Sequence, residues 1–123
     1  MPSDNDLTQD LIDQYDNVRK FFIDHPDRKA IDLFLRSYGD GDGWGVYQLV
    51  EDFFYQCKEA DVKIEIKKVL EDITISDSVR YWVTQVAAAF NDEILRDGLE
   101  ISLHSTNADI KDAAEMAINL LDE

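Results

Sequence analysis

What the chain lacks narrows it first. It has one cysteine, Cys57, so no internal disulfide can form. Two prolines and five glycines are its only strong helix breakers, and four of the glycines sit together from position 39 to 45. Elsewhere little interrupts a helix. Basic residues are few: 12 Lys and Arg stand against 27 Asp and Glu, a formal net charge of −15. Repulsion on that scale disfavours direct binding to nucleic-acid phosphates or to an anionic membrane surface. It favours a basic partner, or serves solubility alone. No apolar run reaches the length of a membrane span. Residues 2–10 are polar and acidic, with neither a basic start nor an apolar stretch, which predicts a soluble cytoplasmic protein without a secretory leader.

What is present is a helical pattern. At 123 residues, with 45% hydrophobic content, the chain suits a single domain over 1–123 with a real core. Leu7, Leu11, Tyr15, Val18 and Phe22 form one apolar stripe on an N-terminal helix over 6–23, which His25-Pro26 ends. Further on, three stretches share one register. A shift of 33 residues carries Val46, Val50, Phe53, Phe54 and Cys57 onto Val79, Val83, Val86, Ala87 and Phe90. A further 31 carries those onto Ile110, Ala114, Ala117, Ile118 and Leu121. A helix precedes each copy, and that is the mark of stacked helix pairs.

The expectation is an all-α fold of about seven helices: the helix over 6–23, then antiparallel pairs over 27–57, 61–90 and 91–122 in a right-handed stack. Val62-Lys63-Ile64-Glu65-Ile66 alternates with period two, but a lone strand would have no neighbour, so it reads as helix. Phe21, Phe22, Phe34, Phe53, Phe54 and Phe90 fit core stripes, and Trp82 lies on the inward edge of its helix. Gly98 falls inside the sixth helix, at some cost.

Asp77-Ser78-Val79-Arg80 and Ala108-Asp109-Ile110-Lys111 carry an acidic turn followed by a Val-Arg or Ile-Lys step. With the alanines that follow, these segments resemble HEAT repeats, whose second helices stack closely on small residues. The first pair departs from the pattern, because a glycine-rich turn replaces the Asp step and Tyr47 stands where Arg would be. In length, charge and form the chain also resembles the immunity proteins of bacterial polymorphic toxin systems, including those of contact-dependent growth inhibition. That resemblance implies a non-enzymatic cytoplasmic protein that blocks a cognate toxin domain, frequently a basic nuclease.

Other chemistries find little support. From Asp40, oxygen ligands fall at positions one, three and twelve (Asp40, Asp42, Glu51) with glycine at six, as in a calcium-binding EF-hand loop. Position five is Trp44, which offers no side-chain oxygen, and no second hand exists to pair with it. A flexible acidic connection is the simpler reading, with partner contact as its functional form. The glycines lack the spacing of a phosphate-binding loop. His25 and His104 lie far apart, read as helix-end residues, and carry no zinc-ligand spacing. No nucleophile triad is signalled. No catalytic residue, metal or cofactor is expected.

The candidate site is therefore a surface. On the second helices of the three pairs the outward positions are Gln48, Glu51, Asp52 and Tyr55, then Tyr81, Thr84 and Gln85, then Asp112, Glu115 and Asn119. Tyr47 also points away from the buried register. Joined to Asp40, Asp42 and Trp44, they form an acidic, aromatic-bearing face suited to a basic protein, since aromatics anchor and carboxylates steer. The leading expectation is an immunity protein that neutralises a basic, nuclease-type toxin. The alternatives are a general HEAT-like scaffold whose binding is nearly insensitive to salt, and an acidic DNA mimic that occupies a DNA-binding protein.

Overall fold

Side-chain caps set where the helices begin. Thr8 Oγ1 accepts from Leu11 N, Asp27 Oδ1 from Lys29 N, Ser76 Oγ from Val79 N, and Asn107 Oδ1 from both Asp109 N and Ile110 N. Each side chain satisfies an amide that the first helical turn leaves free. In the computed structural model, which describes residues 1–123, the caps open α1 (Gln9–Asp24), α2 (Arg28–Leu35), α5 (Asp77–Ala89) and α7 (Ala108–Leu121). The remaining helices are α3 (Val46–Gln56), α4 (Glu59–Leu70) and α6 (Arg96–Leu103). Short 3-10 turns occupy Asp4–Asp6, Gly43–Gly45 and Glu93–Leu95, and there is no strand. Val62 to Ile66 is helical, as expected, within α4. No helix is long and apolar enough to cross a membrane.

The apolar positions of the three-copy register face the interior. All fifteen positions that it aligns are buried or half-buried. In the C-terminal part α5 packs closely along α7, α7 on α6, and α4 on both α5 and α2. Ala87 on α5 and Ala114 and Ala117 on α7 are buried, small residues that permit close packing. Gly98 explains itself here: a Cβ at that position would run into the side chain of Leu70, so glycine lets α6 lie against α4. Arg80 of the Val-Arg step is buried, donating from Nη1 to Ser102 Oγ and from Nη2 to the Asp72 carbonyl. Its counterpart Lys111 is exposed, so the two copies use that position differently.

The first predicted pair is not built like the others. The connection over 36–45 separates α2 from α3; α2 packs on α4, while α3 packs mainly against α1. The N-terminal helix therefore covers a face of α3 that the repeat leaves open. Tyr47 is consequently a core residue, with Tyr15, Tyr38 and Trp82 rings 5.2–5.9 Å from its own. The outward placement expected for Tyr47 is thus corrected. Thr84 is also buried: its hydroxyl donates to the Arg80 carbonyl and lies 3.0 Å from Ser102 Oγ. Phe21, expected in the core, is 54% exposed and stacks on His25 at the end of α1.

Candidate functional site

The glycine cluster is a hydrogen-bonded turn. Asp4, 38 residues before Asp42, holds it. The Asp4 amide donates to the Asp40 carbonyl at 3.0 Å, and its carboxylate accepts from Asp42 N at 3.0 Å and Gly43 N at 2.9 Å. From the other side, Trp82 Nε1 donates to the Gly41 carbonyl at 3.0 Å. Underneath, Tyr47 Oη accepts from Gly39 N at 2.9 Å. Gly41 (φ 97°) must be glycine twice over: its backbone is left-handed, and a Cβ there would overlap the Asp4 carboxylate.

One non-glycine residue shares that backbone region. Trp44 sits at φ 55°, ψ 31°, a conformation that costs an L-residue about 1–2 kcal/mol. Asp42 Oδ1 accepts from its amide at 3.0 Å. The aromatic cluster holds the other indole instead: Trp82 stacks on Tyr38 with ring centres 5.6 Å apart. The sequence reading of Trp82 as an inward residue thus holds in part, since the ring is half-buried and its edge reaches the loop.

Beside this turn lies a groove of about 440 Å³. It is built where the N-terminal ends of α5 and α7 meet the loop that leads into α3. Four carboxylates line it (Asp40, Asp42, Asp77 and Asp109), and no Lys or Arg does. Tyr81 and Trp82 form its apolar part; Gln48, Ser78 and Asn107 add neutral polar groups. Asp77 and Asp109 stand in the first turns of their helices, where the peptide dipoles favour negative charge. The groove can therefore collect acid without an internal counter-ion, and it presents aromatic faces that a guanidinium or ammonium group can lie against.

The predicted residues separate into sets. Asp40, Asp42, Gln48 and Tyr81 line the groove, and Gln85 donates to Tyr81 Oη at 2.9 Å one turn along. Trp44 stands exposed in the adjoining turn. Asp112 and Glu115 are exposed on α7, outside the groove. Glu51, Asp52 and Tyr55 continue along α3. Asp52 lies 3.8 Å from Arg19 of α1, and Tyr55 stacks on Phe90 at 5.1 Å. Burial, and then the charge of Asp52, raises the Glu51 carboxyl above its usual range. Burial likewise raises the Tyr55 and Tyr47 hydroxyls.

Sequence reasoning missed Asp77, Asp109, Ser78, Asn107 and Trp82 as groove residues, and Asp4 as the support of the loop. The signal for the two aspartates was present. They are the acidic turns that marked the repeat in the sequence, and both line the groove. Asp4 carried no signal, because its partner amides lie far off in sequence.

No group of three or more His, Cys, Asp or Glu side chains stands where it could share a metal ion. Asp40, Asp42 and Glu51, the EF-hand positions of the sequence, form no such group. His25 and His104 each lie at a helix end, with Nδ1 3.1 and 2.7 Å from the Phe21 and Glu100 carbonyls. Comparison of the chain with models of protein families, with curated proteins and with solved structures finds no match. What the groove can do is read from its own residues.

Proposed function

We propose that this chain is a stoichiometric inhibitor of the immunity-protein kind, built on HEAT-like helix pairs, and that its acidic groove binds a basic toxin domain of nuclease type. The observation that carries the reading is the groove itself: four carboxylates and two aromatic rings, with no basic residue in its lining, on a chain of net charge −15. A nuclease must display Lys and Arg to hold phosphate. The same side chains suit a groove that offers carboxylates in place of phosphates, with Tyr81 and Trp82 to lie against. Inhibition is by occlusion and needs no cofactor and no catalytic residue. The long-range field speeds capture, and the groove contact slows release.

The test is co-expression with the toxin domain encoded beside this chain, followed by association kinetics. Growth rescue and a complex that weakens as salt rises are expected. Replacing Asp40, Asp42, Asp77 and Asp109 together with Asn lowers the association rate roughly 10–100-fold at low salt and flattens the salt dependence. No rescue, together with no complex at low salt, overturns the proposal. Binding that ignores salt points instead to the general scaffold.

A further inference from the structure

Trp44 is placed at a backbone cost, and about half of its side chain stays exposed. Its backbone is left-handed, the one non-glycine residue so placed. Glycine or asparagine would occupy that position with less strain. A bulky aromatic in that region, held by its surroundings, is the kind of outlier that accompanies a functional surface. The surroundings do hold it: Asp4 binds two consecutive amides just before it, Asp42 caps its own amide, and Trp82 fixes Gly41. The indole is nevertheless 49% exposed. A Cβ at the next residue, Gly45, would meet nothing within 4 Å, so this part of the turn stands clear of the helices.

We propose that Trp44 is a preorganised anchor: an apolar plug, flanked by Asp40 and Asp42, that fits an apolar socket rimmed by Lys or Arg on a protein partner. Asp4 is the positioning residue that presents it. The partner is a protein because the flanking carboxylates repel phosphate and anionic lipid headgroups alike. The socket is basic at its rim because Asp40 and Asp42 travel with the ring. Rigid presentation matters because a plug ordered before binding pays less entropy on docking. This assignment rests on the inhibitor reading for its partner, but the role of Asp4 does not.

Amide exchange on the full chain tests Asp4 without any partner. In Asp4→Ala the amides of Asp42, Gly43 and Trp44 exchange at least about 10-fold faster while those of α5 and α7 keep their protection. Asp4→Asn, which keeps one acceptor oxygen, falls between. Unchanged exchange in Asp4→Ala overturns the positioning role. Kinetics with the toxin domain test the anchor. Trp44→Ala shortens the residence time roughly 10–100-fold and leaves the association rate within about 2-fold, as loss of a buried anchor does. Asp40→Asn with Asp42→Asn gives the opposite split. A complex indifferent to Trp44→Ala overturns the anchor and leaves the inhibitor reading standing. No complex with the unsubstituted protein overturns both, and the exchange result still decides Asp4.

Discussion

From α1 to α3 the interior carries a cluster of rings among its aliphatics; from α4 to α7 branched aliphatics and alanines dominate. Phe53 touches Phe22, Phe34 and Phe54, and Phe34 extends the cluster to Tyr15. Across the molecule, α5 packs along α7, where Val83, Ala87, Ala114 and Ala117 are all buried, and Gly98 lets α6 approach α4. Small residues bring helix axes together and force a regular stack. Rings fill wider and less regular gaps, such as the one left where α2 and α3 fail to pair. The difference teaches where the molecule had latitude. The strained loop and the helix outside the register both belong to the half that holds the ring cluster.

The two halves should therefore fail in opposite ways. Truncation hurts the ring-filled half more. Phe53→Ala removes a fully buried side chain from the centre of the cluster and costs about 3–5 kcal/mol, measured by urea unfolding. Val83→Ala, equally buried in the other half, costs less than half as much. Equal losses would erase the distinction.

Enlargement reverses the order. Ala114→Leu forces a larger side chain into the α5–α7 seam and costs about 1–3 kcal/mol, with the loss of protection centred on those two helices. If the seam accepts leucine without loss, it is looser than its alanines imply.

That contrast also explains how far the sequence could be read. Seven helices were legible because breakers are scarce and the apolar spacing is clear. The register from Val46 to Leu121 was legible because stacking repeats the same burial in each copy. Tyr47 was misread because the rings around it, Tyr15, Tyr38 and Trp82, come from other elements and leave no trace in the spacing of α3. Thr84 was misread for a related reason: a hydroxyl looks outward until Arg80 and Ser102 are found to satisfy it. At the site, the loop's acids and Trp44 could be named, since composition marks a turn. The hydrogen bonds that hold that turn could not, because Asp4 and Trp82 supply them from distant positions.

The smallest effect separates the halves by the direction in which a carboxyl is shifted. Glu51, on α3, has its carboxyl raised by burial first and by Asp52 second. Asp72, between α4 and α5, has its carboxyl lowered by the Thr74 hydroxyl first and by Arg36 second. A raised carboxyl binds its proton more tightly in the folded state than in the unfolded chain. Its ionisation therefore opposes folding, and stability falls as pH climbs from the ordinary carboxylate value of 4.5 through the raised one. The penalty is absent below that window and complete above it. Asp72 works the other way: its contribution is present at neutral pH and is lost as pH drops below 3.8 toward its lowered value. Glu51→Gln removes the first term alone. The variant should be slightly more stable than the parent at pH 7 and indistinguishable from it at pH 4, with the acid limb governed by Asp72 unmoved. A stability gain of the same size at both values would show that amide packing, and not the charge on Glu51, is responsible.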